Sequence, residues 1–331
     1  MTPPLGARPG RAVRVVFFGS GAFAVPALET LIRRDDVELV GVVTPPDRSA
    51  GRSGALIAVP VAAAARTAGL PLLQVDRVRS SEAVDVIRRL APDLGVLADF
   101  GQLIPQAILD LPRFGILNVH PSLLPRHRGA SPIPATILAA DALAGVSIMQ
   151  MDAGLDTGPI LAAVDWPLNG TEDTPELESR AAHEAADLLD HVVTSVLAGH
   201  GSGTPQAPLG ITMTRTLNRE AGRLDPRLPA AELERRVRAF RPWPGTFVEI
   251  PQLRLGIREA AVGQAQPGDV PGVVVADGAG IALSTVDGRL SLTVVQPAGR
   301  WPMSGAAFRR GHPAVVGAAV VPVVVSVDGA E

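Results

Sequence analysis

An asparagine and a histidine two positions apart, Asn118 and His120, are the residues whose types and spacing most directly indicate chemistry. They lie in an apolar run with the character of a buried β-strand, so both side chains project from one face of that strand. An amide can stabilise a developing oxyanion, and an imidazole can take part in proton transfer. The pair therefore predicts acyl-transfer chemistry at the carboxyl end of the strand, where ligands bind in open α/β sheets.

A carboxylate that could complete this pair is Asp156, in the stretch Met151–Pro159. Two glycines and a proline in this stretch predict a bent loop that can return the carboxylate to the strand ends. A lone histidine is more often structural than catalytic. Because the histidine is accompanied here by both the amide and the carboxylate loop, we interpret Asn118, His120 and Asp156 as a catalytic set.

The elements that must position these residues alternate between short β-branched runs and amphipathic segments of helical length, from Val13 to about Asp152. The runs are mostly apolar, as expected for strands buried on both faces of a parallel sheet. The alternation predicts a doubly wound, mostly parallel, Rossmann-like α/β sheet. The predicted strands are Val13–Phe18, Glu38–Val43, Leu94–Ala98, Ile116–His120 and Val146–Met151, and the predicted helices are Ala24–Arg34, Val59–Ala68 and Ser81–Leu90.

The remainder of the chain has a different pattern of predicted secondary structure. A long helix is predicted from Thr174 to Leu197, with Thr174 as its N-cap, and the glycines between 199 and 203 end it. Beyond Gly210, alternating segments at 272–275, 281–285 and 290–295 are separated by two Asp-Gly hairpin signals and predict a small β-barrel or sandwich. We expect a disordered leader at 1–12, an α/β catalytic domain at 13–199, a linker at 200–210 and a C-terminal domain at 211–331.

The turn Gly19–Ala24 matches G-x-G-x-x-A after the first predicted strand, which raises an NAD-binding hypothesis. A dinucleotide site also needs an acid at the end of the second strand, but here that acid, Asp47, is displaced into a loop. We therefore favour a tight structural turn that requires small residues, and keep an NAD-dependent oxidoreductase as an alternative.

Composition excludes several kinds of site. The chain has no cysteine, so it forms no disulfide and offers no thiolate nucleophile or cysteine-bound metal. It also has no lysine, so contacts with an anionic partner depend on its 30 arginines or on backbone N–H groups. Residues 210–331 carry 14 arginines against 11 acids, a weakly basic excess. No apolar run reaches the length of a membrane span, and we expect a cytoplasmic protein.

At these residues the chain resembles the methionyl-tRNA formyltransferases, nearly from end to end. The N-x-H-x-S-L-L-P block at 118–125 and the G-L-D-T-G loop at 154–158 are a strong signature of 10-formyltetrahydrofolate-dependent transfer. The other stretches that carry the resemblance are Phe23–Pro26, Pro46–Arg48, Ala50–Arg52, Gly101–Pro105, Arg223–Asp225, Arg238–Gly245 and Met303–Phe308.

The resemblance implies a formyltransferase domain followed by an OB-like barrel that assists tRNA binding. It implies transfer of the formyl group of 10-formyltetrahydrofolate to the methionine of initiator methionyl-tRNA by a monomer that needs no metal. Asn118 and His120 would stabilise the oxyanion, while Asp156 would hold His120 charged or take up the amine proton. The folate-binding residues implied are Ser122, Leu123, Leu124, Pro125, Gln102 and Leu103, and the tRNA-binding residues are Arg52 and Arg215.

Two other classes of function stay open at the level of sequence. A small-molecule N-formyltransferase, for example one acting on an amino-sugar nucleotide, would share the N-terminal site and differ in the second domain. A catalytically inactive RNA-binding protein is the other alternative, but the intact set of Asn118, His120 and Asp156 argues against it. The family's loop after Arg52 is usually lysine-rich, but this chain has Ser53–Leu56 there.

Overall fold

The computed structural model describes residues 11–50, 55–251 and 253–322. Two compact units account for these residues. The first unit runs to Pro132 and includes Leu143–Pro167 and Leu177–Arg215. The second unit contains Ile133–Ala142, Leu168–Glu176 and the chain from Thr216 onward. Most of the predicted leader at 1–12 lies outside the described residues.

The first unit is organised around its β-strands, which are mostly short and buried. In chain order, they are β1 (Val13–Gly19), β2 (Val37–Thr44), β3 (Arg48–Ala50), β4 (Ala55–Ile57), β5 (Leu72–Gln74), β6 (Leu94–Ala98), β7 (Ile116–His120), β8 (Arg128–Gly129), β9 (Leu143–Gln150), β10 (Ile160–Pro167) and β11 (Met213–Thr214).

The central sheet has seven strands in the order β10-β9-β7-β6-β1-β2-β5. The pairs β1/β2, β1/β6, β6/β7 and β2/β5 are parallel, and β9 and β10 add antiparallel pairs at one side. The chain builds outward from β1 through β2 to β5, and then returns to the other side of β1 with β6. This reversal makes the carboxyl ends of β1 and β6 a topological switch point, where ligands bind in such sheets. The predicted doubly wound, mostly parallel sheet is confirmed.

The helices are short apart from one. They are α1 (Val25–Ile32), α2 (Pro60–Thr67), α3 (Ser81–Arg89), α4 (Gln106–Leu109), α5 (Pro132–Leu138), α6 (Thr174–Leu197), α7 (Ala230–Ala239) and α8 (Gly305–Gly311). Local sequence explains where α3 and α6 begin. The Ser80 side chain accepts the backbone N–H of Ala83 at the start of α3. Asp173 and Glu176 form a reciprocal capping box at the start of α6, so the cap is Asp173 rather than the predicted Thr174.

The second unit contains an antiparallel sheet with the strand path β12-β13-β16-β15-β14 and with β17 attached to β16. The strands are β12 (Thr246–Ile250), β13 (Leu253–Gly263), β14 (Val274–Asp277), β15 (Gly280–Ser284), β16 (Arg289–Pro297) and β17 (Met303–Ser304). The two Asp-Gly signals connect β14 to β15 and β15 to β16, as predicted. Within the described ranges this path is open, with β12 and β14 as its ends. Its core packs Leu233, Val248, Leu283 and Phe308.

Candidate active site

The carboxyl end of β7 carries the two residues from which the sequence interpretation starts. In the central sheet, β7 pairs with β6 on one side and with β9 on the other. Asn118 and His120 are buried, with exposed fractions of 6% and 5%. Because they are two positions apart on one strand, their side chains lie on the same face of the sheet.

Asp156 lies against both of these residues. Its Oδ1 accepts a hydrogen bond from Nδ2 of Asn118 at 3.1 Å, and its Oδ2 accepts the backbone N–H of Gly129 at 2.7 Å. The same Oδ2 is 3.8 Å from Nδ1 of His120. The structure thus brings together the three residues predicted as catalytic, although 38 positions separate Asn118 from Asp156.

A hydrogen bond at its other ring nitrogen determines the tautomer of His120. Nε2 lies 3.0 Å from the carbonyl oxygen of His127. A carbonyl can only accept, so Nε2 carries the proton and Nδ1 presents a lone pair toward Asp156. Burial lowers the pKa of His120 from its ordinary value of 6.5, and the opposing influence of the Asp156 carboxylate is smaller. The resting site therefore pairs a neutral imidazole with a carboxylate.

The loop that presents Asp156 depends on backbone conformations that few residues adopt. Asp156 itself has a φ of +52°, in the left-handed region that aspartate tolerates better than most residues. At Gly158, a Cβ atom would lie 1.8 Å from the carbonyl oxygen of Gln150. Only glycine allows the loop to pass this close to the end of β9.

Gln206 was not identified by sequence reasoning, yet it holds this loop in place. Its Nε2 donates to the carbonyl oxygens of Asp156 and Gly158, both at 2.8 Å. Its Oε1 accepts from the Arg128 guanidinium at 2.7 Å and 3.1 Å. Gln206 lies in the segment predicted as a linker, where a single glutamine among glycines and prolines carries no periodic signal. The side chain links the carboxylate loop to the strand β8.

The strand pair β8/β11 fixes the backbone groups that the site uses. The carbonyl oxygen of Thr212 accepts a hydrogen bond from the N–H of Arg128 at 2.9 Å. The hydroxyl oxygen of Thr212 accepts one from the N–H of His127 at 2.7 Å. These bonds orient the His127 carbonyl toward His120 and the Gly129 N–H toward Asp156. Arg215, predicted to bind tRNA, follows β11 directly and is exposed. Arg52, the other predicted tRNA contact, lies outside the described residues.

Four of the predicted folate-binding residues lie in the loop after β7. The Ser122 hydroxyl is buried and donates to the carbonyl of Arg126 at 2.7 Å, so it stabilises the loop. Leu124 is also buried, with its N–H donated to Ser147 Oγ at 3.1 Å. Leu123 packs against Gly145, and Pro125 is half-buried. Of these side chains, those of Leu123 and Pro125 remain partly accessible to a ligand.

The other two predicted folate-binding residues, Gln102 and Leu103, lie elsewhere. Both line a cleft of about 580 Å³ at the carboxyl ends of β1, β2, β5 and β6. The Gln102 side chain accepts the N–H of Val78 at 2.8 Å, and 76% of Leu103 is exposed. The predicted folate residues therefore form two groups, one after β7 and one in this cleft.

The glycines of the first turn are explained by close packing. A Cβ at Gly21 would lie 1.8 Å from Oδ2 of Asp99, and one at Gly19 would lie 2.7 Å from the Phe17 ring. Desolvation by neighbouring atoms and the nearby Glu178 carboxylate raise the pKa of Asp99 to about 6, although Asp99 is an exposed residue. The displaced acid Asp47 is bonded to Arg66 at 2.7 Å and to Gln74 at 3.0 Å. This packing supports the structural interpretation of the turn over a dinucleotide site.

The described ranges contain neither a membrane-spanning helix nor a cluster of metal-binding side chains. No helix there combines the length and the apolar character that crossing a membrane requires. No group of three or more histidine, aspartate or glutamate side chains in that part of the chain could hold a metal ion.

The doubly wound sheet carries Asn118 and His120 at the end of β7, and the loop after β9 brings Asp156 against them. This combination is the basis for comparison with known families. Residues 13–193 match the family described as "Formyl transferase". Residues 216–313 match the family described as "Formyl transferase, C-terminal domain". The chain belongs to the formyl transferase family.

Comparison with relatives of known name identifies the members of this family that the chain resembles. The methionyl-tRNA formyltransferase of Halorhodospira halophila is 43% identical over 307 residues, which cover 92% of this chain and 98% of the relative. The methionyl-tRNA formyltransferase of Chloroflexus aurantiacus is 42% identical over 301 residues, which cover 90% of this chain and 97% of that relative. The resemblance to methionyl-tRNA formyltransferases is thus confirmed.

A solved structure provides a comparison of fold alone. The N-formyltransferase from Helicobacter canadensis, in complex with folinic acid and dTDP-3-aminofucose, matches with a TM-score of 0.61 and 14% identity. The match covers 87% of this chain and 100% of that chain. The likeness extends over both sequence halves of the present chain.

Proposed function

We propose that the protein transfers the formyl group of 10-formyltetrahydrofolate to the amino group of methionine on initiator methionyl-tRNA. The observation that carries the proposal is the contact of Asn118 and His120 with Asp156 at the carboxyl end of β7. Relatives named methionyl-tRNA formyltransferase that align over almost their whole length support this choice of acceptor. The reaction would serve translation initiation in the cytoplasm, and we propose that the enzyme acts as a monomer without a metal.

The site contains the groups that such a transfer requires. Attack of the amine on the formyl carbon forms a carbon–nitrogen bond and places negative charge on the formyl oxygen. Asn118 donates one amide hydrogen to Asp156, which leaves the second for that oxygen. Because Asp156 and the strand β7 hold the amide in place, it needs no reorganisation as the charge develops.

His120 would accept the proton that the attacking amine loses, and Asp156 would stabilise the protonated His120. The attacking amine must lose a proton, and the lone pair on Nδ1 of His120 can accept it. The resulting imidazolium would lie 3.8 Å from Oδ2 of Asp156, whose charge stabilises it. The proton can then pass to N10 of the folate as the carbon–N10 bond breaks. The lowered pKa of resting His120 does not support the expected role in which Asp156 holds His120 charged, and the carboxylate would instead stabilise the imidazolium that forms during transfer.

The pH dependence of transfer should reflect His120. We expect two acid limbs in the single-turnover rate: one from the acceptor amine, near its ordinary pKa of about 7.7–8.0, and one below pH 6.5 from His120, whose pKa is lowered. Asp156→Asn removes the nearby charge that favours the imidazolium, so the acid limb should move to lower pH in that variant. The His120 limb is the one that Asp156→Asn moves, and a midpoint above 6.5 for that limb would contradict the neutral resting state.

The folding equilibrium must be followed over the same pH range. A histidine whose pKa is lowered by folding binds fewer protons in the folded than in the unfolded state. The fold is therefore stabilised above the unfolded value near 6.5 and loses that contribution as pH falls through the lowered pKa. Unfolding monitored by circular dichroism at each pH separates a loss of fold from a loss of the base.

The arginines predicted to contact tRNA can be tested by salt dependence. Arg215→Gln should raise KM for methionyl-tRNA and lower the slope of its logarithm against salt by about one unit, because one phosphate contact is lost. Arg52→Gln should behave similarly, and neither change should affect folate binding. Arg89→Gln, an exposed arginine of α3, is the matched control. Identical KM values and slopes in Arg215→Gln and wild type would remove Arg215 from the tRNA site.

The donor and the acceptor can each be tested against the alternatives. Protection from thermal unfolding by 5-formyltetrahydrofolate, with no protection by NAD, would reject the oxidoreductase hypothesis. For the acceptor, kcat/KM for methionyl-tRNA should exceed that for a dTDP-amino sugar by several orders of magnitude. A higher kcat/KM for the sugar nucleotide would assign the protein to the small-molecule N-formyltransferases instead.

A further inference from the structure

Arg128, the residue before Gly129 on β8, is an arginine buried without a counterion. Only 9% of it is exposed, and within the described ranges no carboxylate forms an ion pair with its guanidinium. Its Nε and Nη2 atoms both donate instead to Oε1 of Gln206, a neutral amide oxygen. A buried charge is normally paired with an ionised partner. The use of this one to hold an amide therefore indicates that the orientation of the amide matters.

The Gln206 amide has a single orientation that satisfies its neighbours. A guanidinium can only donate, and the carbonyl oxygens of Asp156 and Gly158 can only accept. Oε1 therefore faces Arg128, and the NH₂ group faces the two carbonyls, each at 2.8 Å. A flipped amide would place its NH₂ group against the guanidinium and its oxygen against two oxygens. Arg128 thus fixes which end of the amide meets the Asp156 loop.

The loop that Gln206 holds has a backbone conformation that depends on outside support. Asp156 adopts a φ of +52°, and Gly158 passes so close to the end of β9 that no Cβ would fit. Such conformations persist only where the surrounding contacts hold them. The contacts of the Asp156 side chain are Asn118 and Gly129, and the contact of its carbonyl is Gln206. Gln206 thus holds the backbone from which the carboxylate extends.

Gln206 is itself anchored by the backbone next to it. Thr204 and Ile160 exchange both of their backbone hydrogen bonds, each at 2.8 Å. Ile160 is the first residue of β10, which directly follows the Asp156 loop. The chain therefore brings Gln206 to this loop from a paired segment of backbone, so that its side chain is already in place before substrates bind.

We propose that Gln206, oriented by Arg128, is a positioning residue for formyl transfer, which holds the backbone of Asp156 so that the carboxylate meets Asn118 and His120. The inference rests on the proposed function, because its effect is measured as a rate of transfer. Gln206 contacts the loop through backbone carbonyls and acts through Asp156. A displacement of about 1 Å at the reacting groups can lower a rate by about 10².

The substitution Gln206→Glu separates the positioning of Asp156 from the support of Arg128. The carboxylate has nearly the shape of the amide, and it gives the guanidinium the ionised partner that it lacks. It has no hydrogen to donate, so one of its oxygens faces the carbonyl oxygens of Asp156 and Gly158. The variant therefore strengthens the contact with Arg128 and removes the contact with the loop.

The test measures kcat and KM for transfer from 10-formyltetrahydrofolate to methionyl-tRNA, on the full-length protein. Gln206→Glu should lower kcat by about 10–10² and change KM for either substrate by less than about threefold. Arg128→Lys should retain more turnover than Gln206→Glu, because an ammonium group still donates to Oε1. Gln266→Glu, the same change at an exposed glutamine, is the matched control.

A double-mutant cycle distinguishes positioning of Asp156 from a general loss of structure. If Gln206 acts through Asp156, adding Gln206→Glu to Asp156→Asn should slow transfer by less than about twofold, although each change alone slows it about tenfold or more. Thermal unfolding and titration with 5-formyltetrahydrofolate establish that each variant is folded and binds the donor. If the glutamate variant does not fold, Arg128→Met/Gln206→Met removes the buried charge together with its partner and takes its place in the same measurements.

Three results would overturn the inference. The first is wild-type turnover in Gln206→Glu, and the second is a loss confined to KM, which would make Gln206 a binding residue. The third is a full additional loss in the double variant, because Gln206 would then act independently of Asp156. If Arg128→Lys were slower than Gln206→Glu, the orienting role of Arg128 would be overturned. In each case wild type still formylates methionyl-tRNA, whereas an inactive wild type would mean that the proposed function itself fails.

Discussion

Asn118→Ala should lower the turnover of formyl transfer by about 10²–10³ and leave the fold and the affinity for folate nearly unchanged. In the proposed mechanism the Asn118 amide is the donor held at the position where negative charge develops, and loss of one such donor typically has an effect of this size. The side chain is small, and its amide donates a hydrogen bond to Asp156 at 3.1 Å. Alanine leaves space for a water molecule and removes the preorganised donor.

Asn169→Ala is a suitable control for this experiment, because Asn169 makes its hydrogen bonds in an exposed turn. Thermal unfolding of the three proteins and titration with 5-formyltetrahydrofolate would establish that the site is intact. If Asn118→Ala kept more than about half of the wild-type turnover, Asn118 would have no oxyanion role.

Asp156→Asn should reduce turnover by at least a similar factor, about 10²–10⁴. The Asp156 carboxylate accepts one hydrogen bond on each oxygen, from Asn118 and from Gly129. An amide has only one acceptor oxygen, so its NH₂ group would face one of these two donors. The variant therefore disturbs either Asn118 or the β8 strand, and it also removes the charge that, in the proposed mechanism, stabilises protonated His120.

Asp152→Asn provides the matched comparison, because it makes the same chemical change in the same loop. Asp152 accepts from the N–H of Gly154 at 3.0 Å and from the Thr157 hydroxyl at 2.6 Å, and it is exposed. Its substitution should affect stability slightly and leave the rate of transfer within about threefold of wild type. Full activity of Asp156→Asn would mean that the carboxylate loop serves structure alone.

The part of the fold that sequence predicts best is the part with the simplest pattern. Strands β1, β6 and β7 are buried on both faces, so their continuous apolar runs identify them almost to the residue. Strand β10 was not predicted, because it lies at the edge of the sheet and its residues are only partly buried. Strand β5 is three residues long and offers too short a pattern to recognise.

For the active site, sequence indicates which residue types are present and on which strand end they lie. The spacing of Asn118 and His120 is local, so strand geometry is sufficient to place them on one face. The contacts of Gln206 depend on a chain path that brings it back after 50 positions to the Asp156 loop. The proton position on His120 depends on the carbonyl of His127, a backbone group present in every residue and therefore invisible to any motif.

The most direct test of the central claim is to incubate the protein with 10-formyltetrahydrofolate and initiator methionyl-tRNA, deacylate the tRNA and identify the released amino acid by mass spectrometry. We predict that wild type converts methionine to N-formylmethionine within a single turnover. Asn118→Ala and Asp156→Asn should form the same product far more slowly. If wild type bound the folate but left the methionine unformylated, methionyl-tRNA would not be the acceptor, and the proposed function would be wrong.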